Sequence, residues 1–212
     1  MSAAASVASL LHTGIRQLEL SLPEGTEARL LAYLSLLSKW NRVHNLTAVR
    51  DEQQMVSHHL LDSLTVLPHL AGYASLADVG SGGGLPGIPL ALARPDRAVT
   101  LIEANHKKAS FLQQAKIELG LSNVSIHCGR VEDYMPPQLF DAVISRAFSE
   151  LALFVQVAGH LCAHDAPLLA MKGVDPKEEI AQLPSGWRVA QTQPLHVPGL
   201  DAQRHLLTIL RN

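Results

Sequence analysis

The sequence has only two cysteines, no excess of basic residues and no long apolar run. Cys128 and Cys162 provide neither a disulfide framework nor a metal knuckle, which indicates a reduced, cytoplasmic protein. The formal net charge of -2 excludes a general attraction to nucleic acid, so any RNA contact must come from a local basic cluster. No apolar run approaches the ~20 residues of a membrane span, and residues 1–11 lack the basic start of a signal peptide. We therefore expect neither membrane insertion nor export.

Hydrophobic residues make up 47% of the 212 residues, which is enough for one α/β domain with an extension. Residues 1–72 are predicted to form a helical extension, because Leu30, Leu34 and Leu37 recur at helical spacing and give an apolar face that must pack on something. Residues 73–212 are predicted to form the main domain. We expect the two parts to pack as a single globular unit.

Strand and helix patterns alternate from Ser75 onwards, which is typical of a parallel sheet with right-handed crossovers. The predicted strands are 75–79, 98–102, 123–127, 140–144, 167–171, 187–192 and 205–210. Asn105 is expected to cap a helix that ends at Gly120. The sequence therefore predicts an α/β, Rossmann-like fold with a mostly parallel, seven-stranded sheet and an N-terminal helical extension.

A glycine-rich turn, Asp78–Gly87, directly follows the first predicted strand. Its glycines at alternate positions are Gly80, Gly82 and Gly84. Such a turn brings the backbone very close to a bound ligand. Glu103 ends the second strand nineteen residues past Gly84, where an open α/β sheet offers a carboxylate to ribose hydroxyls. The pair predicts a ligand that contains adenosine.

Two such ligands fit the turn, a dinucleotide and S-adenosylmethionine. A dinucleotide site places a pyrophosphate at the helix N-terminus, and no acidic side chain should end the strand. Asp78 stands at that position and suits a ligand with a sulfonium and an ammonium group, which favours S-adenosylmethionine. An NAD(P)-dependent Rossmann oxidoreductase remains an alternative, and so does a non-catalytic adenosine- or RNA-binding module.

Several polar segments follow the carboxyl ends of the first five strands, and these ends open on one edge of a parallel sheet. The segments are Asp78, Gly80 to Gly84, Glu103, Gly129 to Glu132, Ser145 with Arg146, and Lys172. Each alone has a structural explanation, such as a tight turn, a helix cap or an ion pair. Their convergence on one edge favours a binding site.

With these residues placed, the sequence resembles the bacterial 16S rRNA guanine-N7 methyltransferases once called glucose-inhibited division protein B. The motifs that carry the resemblance are Trp40-Asn41, Asn45-Leu46-Thr47, His59-Leu60-Leu61-Asp62-Ser63, Asp78 to Leu90, Ile144-Ser145-Arg146-Ala147, Met171-Lys172-Gly173 and Arg204-His205-Leu206. The similarity spans roughly Leu30 to Leu210. The Leu-Pro-Gly-Ile-Pro continuation of the turn is far more specific than the turn itself.

The resemblance implies a class I methyltransferase that moves a methyl group from S-adenosylmethionine to N7 of a guanine in the decoding region, the 530 loop, of 16S rRNA. The substrate partner would be this rRNA or the small ribosomal subunit. The cofactor contacts of the family fall on Gly80, Leu85, Val131, Glu132 and Arg146. Glu103 is the ribose carboxylate by fold analogy.

The chemistry of N7 agrees with what the sequence omits. Guanine N7 carries an exposed lone pair and loses no proton on attack, so methyl transfer needs alignment rather than a general base. Neither Cys128 nor Cys162 stands where methylation of a pyrimidine carbon needs a thiolate. The Asn/Asp-Pro-Pro-aromatic loop of exocyclic-amine methylases is replaced by Ser145 to Phe148.

Arg146 and Lys172 are the predicted catalytic residues. The Arg146 guanidinium can bind the cofactor carboxylate, a phosphate or the O6 edge of guanine, and the sequence does not choose among these. Arg130, Lys172 and Arg204 are predicted to contact RNA near the same edge. Phe148 is either a base-stacking residue or a core aromatic.

The adjacent His58 and His59 do not predict a metal site, because neighbouring residues on a helix point to different faces. We expect no bound metal. The sequence shows few apolar stripes beyond the N-terminal helix, and we therefore expect a monomer.

Overall fold

The computed structural model describes residues 6–146, 148–174 and 176–212. Residues 1–5 of the predicted extension and Ala147 of the predicted loop after the fourth strand lie outside these ranges. Among the described residues, no helix combines the length and apolar character needed to cross a membrane.

The N-terminal region is helical throughout its regular elements, as predicted. Helix α1 spans Val7–Gln17 and helix α2 spans Thr26–His44. The Asp51 side chain accepts a hydrogen bond from the Gln54 amide and caps the next helical stretch. That stretch comprises α3 (Glu52–Met55), a π-helical segment (Val56–Leu61) and α4 (Asp62–Leu64), and a 3-10 helix follows at Leu67–Leu70. The π-helical segment is not apparent from the sequence.

Seven strands form one mixed sheet in the order β3-β2-β1-β4-β5-β7-β6. The strands are β1 (Ser75–Val79), β2 (Ala98–Glu103), β3 (Val124–Cys128), β4 (Ala142–Ser145), β5 (Leu168–Lys172), β6 (Trp187–Pro194) and β7 (His205–Arg211). Strands β1 to β5 pair in parallel, whereas β7 is antiparallel to both β5 and β6. The predicted mostly parallel α/β sheet is confirmed.

Within the described ranges, four α-helices connect or follow the strands. They are α5 (Gly87–Ala93), α6 (His106–Glu118), α7 (Leu151–Ala158) and α8 (Lys177–Ala181). Short 3-10 helices occur at Val131–Asp133 and Gly159–Leu161. The predicted cap of α6 is present, since the Asn105 side chain accepts hydrogen bonds from the amides of Lys107 and Lys108.

The N-terminal helices share a hydrophobic core with one face of the sheet. That core joins Leu34 of α2 and Leu64 of α4 to Leu101 of β2 and Leu112 of α6. A separate core on the other face packs α7 against β4 and β5 through residues such as Phe154. The sheet is therefore covered on both faces, and the N-terminal region covers one of them together with α5 and α6.

The central strand β1 lies between β2 and β4, and the direction of chain progression reverses there. Ligands of open α/β sheets bind outside the carboxyl ends of the strands at such a reversal. The predicted site residues of β1 to β5 lie at or just after the carboxyl ends of these strands, whereas Arg204 lies immediately before β7.

Candidate functional site

The glycine turn follows β1 and adopts backbone conformations that favour glycine. Gly80, Gly82 and Gly84 have φ values of 69°, 57° and 83°. A Cβ atom on Gly84 would lie 2.4 Å from the side chain of Ile88, whereas one on Gly80 would meet only Phe148 at 3.9 Å. The open space over Gly80 lets a ligand approach the backbone closely.

Asp78 is buried beneath the glycine turn and lines neither of the two cavities described below. Its side chain is fully buried, and Oδ2 accepts a hydrogen bond from the Gly87 amide at 2.8 Å. Oδ2 is thus engaged within the turn, and contact between Asp78 and a cationic ligand stays a prediction. Burial raises the pKa of Asp78 to about 7, against smaller lowering effects of the Gly87 hydrogen bond and the Arg146 charge. No described residue bonds to Oδ1.

Glu103 joins the turn to the start of α6. Oε2 accepts a hydrogen bond from the Gly82 amide and Oε1 accepts one from the Asn105 amide, both at 2.8 Å. Each carboxylate oxygen keeps a further lone pair. Glu103 is thus held rigidly where a ribose hydroxyl can donate to it.

A cavity of about 330 Å³ opens at the carboxyl ends of β1, β2 and β3. The predicted site residues that line it are Gly80, Glu103, Arg130, Val131, Glu132 and Phe148. The exposed Arg130 is paired with Glu132 at 2.6 Å. Gly82, Gly84 and Leu85 do not line this cavity, and Leu85 is packed into the core shared with the N-terminal helices. These three residues contribute to the conformation of the turn without lining the cavity.

A second cavity, of about 360 Å³, adjoins the other side of the loop after β4. Its lining includes Val49, His58, Asp62, Arg146, Lys172 and Arg204. Phe148 lines the first cavity and Arg146 lines the second, so this loop lies between them. We refer to them as the acidic-rim cavity, which contains Glu103 and Glu132, and the basic cavity.

Arg146 and Arg204 both pair with the buried carboxylate of Asp62. Arg146 Nη1 lies 3.4 Å from Oδ2, and Arg204 Nε lies 3.1 Å from Oδ1. Arg146 Nη1 also donates to the carbonyl of His58 at 3.0 Å. Sequence reasoning missed this cluster, although it quoted Asp62 within a motif, because nothing local places Asp62 beside residues that follow β4 and precede β7.

Lys172 is engaged within the protein. Its Nζ donates to the carbonyls of Phe148 and Ser149 and to Glu179 Oε2, at 2.9, 3.2 and 2.7 Å. Only 11% of the side chain is exposed. Lys172 therefore fixes the loop after β4 at one wall of the basic cavity.

The two histidines of the π-helical segment differ in environment. His59 is buried, and its Nε2 lies 2.8 Å from the Thr47 hydroxyl, whereas His58 is partly exposed at the basic cavity. Burial lowers the pKa of His59 to about 4, so its ring is neutral. Within the described ranges, no group of three or more His, Cys, Asp or Glu side chains is placed to hold a metal ion.

A second connection that sequence reasoning missed runs from α2 to the glycine turn. The Tyr33 hydroxyl donates a hydrogen bond to the carbonyl of Gly83, and Leu37 packs against the same glycine. Burial raises the pKa of Tyr33 far above its usual value, so the hydroxyl keeps its proton. The N-terminal region thus contacts the candidate site at two places, the turn and the basic cavity.

Comparison with known proteins identifies the family. The family model described as rRNA small subunit methyltransferase G, GidB, matches residues 26–207. A protein named ribosomal RNA small subunit methyltransferase G from Aromatoleum aromaticum is 60% identical over 209 residues, covering 97% of this chain and 99% of that protein. A protein of the same name from Azoarcus sp. is 56% identical over 211 residues, and the match covers 100% of both chains.

Solved structures support the fold. The O-methyltransferase TomG from Streptomyces achromogenes, in complex with S-adenosylmethionine, superposes with a TM-score of 0.60 at 18% identity, covering 95% of this chain and 96% of that one. This likeness confirms the class I methyltransferase architecture. The family model and the two relatives show that the chain belongs to the GidB family, rRNA small subunit methyltransferase G.

Proposed function

We propose that the protein transfers a methyl group from S-adenosylmethionine to N7 of a guanine in the decoding region of small-subunit rRNA. The single observation that carries this proposal is the pair of cavities on either side of the loop after β4, one with carboxylates and one with arginines. A donor and an acceptor can meet across that loop. Family membership supports the rRNA substrate.

The acidic-rim cavity fits S-adenosylmethionine. When bound, this cofactor supplies an electrophilic methyl group on a sulfonium. Glu103 would accept from the ribose hydroxyls, and the open backbone at Gly80 would lie against the ligand. Val131 and Glu132 would contact the adenosine from the end of β3. Asp78 would act indirectly, by holding Gly87 and so the shape of the turn.

The basic cavity fits RNA. The hydrogen bonds of Arg146 to described residues use Nη1 alone, and those of Arg204 use Nε and Nη1, so further N–H groups remain for a ligand. A guanidinium suits a phosphate, a carboxylate or guanine O6 beside N7. Arg130, at the neighbouring rim, and Lys172, at the wall, would add positive charge. These basic residues would attract RNA locally, although the protein as a whole has no positive net charge.

The chemistry requires little proton transfer. N7 reacts through its lone pair, so the residues need to align the base and exclude water. Arg146 is the proposed catalytic residue at the donor–acceptor boundary. Lys172 would contribute by fixing the loop that carries Arg146 and Phe148.

The test is methylation of rRNA. Purified protein with methyl-labelled S-adenosylmethionine should label small-subunit rRNA from a strain that lacks this enzyme, and mass spectrometry should locate one 7-methylguanosine. Small-subunit rRNA that already carries the modification is the matched control and should take up no label. Label on protein or DNA would contradict the substrate, and cofactor binding without any transfer would favour the non-catalytic module.

We further propose that the protein acts in the cytoplasm, where its rRNA substrate is assembled, and acts as a monomer. Large exposed apolar side chains among the described residues are spread over separate elements, which gives no evident oligomer interface. They are Val43, Ile117, Met135, Leu139, Leu153 and Val174.

A further inference from the structure

Asp62 is a buried carboxylate at the wall of the basic cavity. It is the first residue of α4, directly after the π-helical segment, and its side chain is 3% exposed. One oxygen faces Arg146 at 3.4 Å and the other faces Arg204 at 3.1 Å. The N-terminal region therefore reaches the edge of the sheet and bridges two residues that are far apart in the sequence.

The same helical segment holds Arg146 at a second point. The His58 carbonyl accepts from Arg146 Nη1 at 3.0 Å, and His58 lies four residues before Asp62. A carbonyl and a carboxylate on one rigid segment fix the plane of a guanidinium better than either does alone. Single π-helical turns within longer helices occur frequently at functional sites.

The charges at this cluster explain why a carboxylate is needed. Two guanidinium groups that line one cavity repel each other, and one carboxylate between them removes that repulsion while leaving a net charge of about +1 for the three groups. Both arginines then keep fixed orientations and still present N–H groups to the cavity.

We propose that Asp62 is a positioning residue for methyl transfer, which orients Arg146 and Arg204 toward the RNA. This inference rests on the proposed function and extends it to the N-terminal region. It gives that region a part in the chemistry beyond packing on the sheet.

The test is Asp62→Asn, which keeps the size of the side chain and removes its charge. At saturating S-adenosylmethionine and rRNA, turnover should fall by up to about 100-fold, because small misplacements of a positioned group have effects of this size. Binding of rRNA should stay as tight or become tighter at low salt, because a negative charge leaves the basic cavity. Lower turnover without weaker binding of rRNA marks a positioning role. Unchanged turnover, or a weaker affinity with normal turnover, would overturn it.

Asp141→Asn is the matched control. Asp141 accepts hydrogen bonds from the amides of Ala74 and Ser75 at the start of β1, away from both cavities. Asp141→Asn can lower the stability of the fold, but the turnover of the folded variant should equal that of the wild type. If Asp62→Asn does not fold, the variant that also carries Arg204→Gln removes the repulsion between the arginines and should fold with low turnover. Wild-type turnover in that variant would also overturn the proposal.

A double-mutant cycle with Arg146→Gln provides the decisive readout, measured in single turnovers with excess enzyme. If Asp62 acts through Arg146, adding Asp62→Asn to Arg146→Gln should cause little further loss, because residues that act as a unit are not additive. Additive losses would contradict the proposal. A wild-type protein that fails to methylate rRNA would instead contradict the proposed function.

Discussion

Asp78 shows how a single buried residue at the candidate site can fix the shape of the glycine turn. The fold places its carboxyl group under the glycine turn, where Oδ2 bonds to the Gly87 amide. A Cβ atom on Gly87 would lie 2.7 Å from that oxygen, so only glycine allows this close approach. The carboxyl group thus ties the end of β1 to the start of α5. Its cost is the burial of an ionisable group.

That burial gives a prediction for pH dependence. The pKa of Asp78 is raised from its ordinary value of 3.8 to about 7 in the folded protein. Between these values the folded state holds a proton that the unfolded state releases, so the contribution of Asp78 to stability falls as pH rises. We would measure the free energy of unfolding in urea for the wild type and for Asp78→Asn. The wild-type value minus the Asp78→Asn value should be larger at pH ~5 than at pH ~8.

Asp96→Asn is the control for this measurement. Asp96 is exposed, and Arg94 holds its pKa at about 2, below both test conditions. The difference between wild type and this control should not change with pH. If the difference in the free energy of unfolding between the wild type and Asp78→Asn is also the same at both pH values, Asp78 does not titrate in this range.

Sequence spacing predicted which residues lie at the sheet edge, but not how deep each one lies. Alternation and strand ends place Asp78, Glu103 and Arg146 at one edge, since parallel strands share a direction. Depth depends on what covers the edge. Asp78 is covered by its own turn, and the environment of Arg146 depends on Asp62, which lies 84 residues away in the sequence.

Among the elements, α2 has a role that its amphipathic pattern does not reveal. The pattern predicts an apolar face, and Tyr33 is one of its fully buried residues. The Tyr33 hydroxyl, however, bonds to the carbonyl of Gly83 and so ties α2 to the turn. Helix α2 therefore supports the backbone of the glycine turn.

We therefore expect Tyr33→Phe to weaken the turn without unfolding the protein. The Gly83 carbonyl would lose its buried partner, which should lower the free energy of unfolding by about 1–2 kcal/mol. Binding of S-adenosylmethionine, measured by calorimetry, should weaken about fivefold, equivalent to roughly 1 kcal/mol. Tyr73→Phe is the matched control, because no described residue bonds to the Tyr73 hydroxyl. Equal effects of the two variants on cofactor binding would contradict this role for α2.

Helix and strand positions were largely predictable because their signals are local. Asn105 caps α6 as expected. The π-helical segment was not predictable, because one widened turn shifts the apolar spacing too little to show in a short helix. Its neighbours stabilise it through tertiary contacts, such as those of His59 with Thr47 and of the His58 carbonyl with Arg146.

For the whole molecule, the local distribution of charge matters more than the net charge. The net charge of -2 gives no general affinity for RNA, yet Arg146 and Arg204 meet at one cavity while Glu103 and Glu132 line the next. Composition could not predict this separation. It arises because strand order brings together segments that the sequence keeps apart.

The choice of cofactor can be checked on the intact protein. S-adenosylmethionine at 100 times its Kd should stabilise the folded state by about 2.7 kcal/mol, and raise the melting temperature by about 5–10 °C for a chain of this length. NAD and NADP at the same concentration should leave it unchanged. A shift with a nicotinamide dinucleotide alone would restore the oxidoreductase alternative.

The position of β7 sets the order in which a newly made chain can complete its site. Among the described residues, β6 pairs only with β7, and β7 lies between β5 and β6 in the sheet although it follows both in the sequence. Arg204 stands immediately before β7. A nascent chain can therefore assemble β1 to β5 and the glycine turn while the arginine pair is still incomplete. Residues beyond β6 must therefore be synthesised before Arg204 can join Arg146 at Asp62.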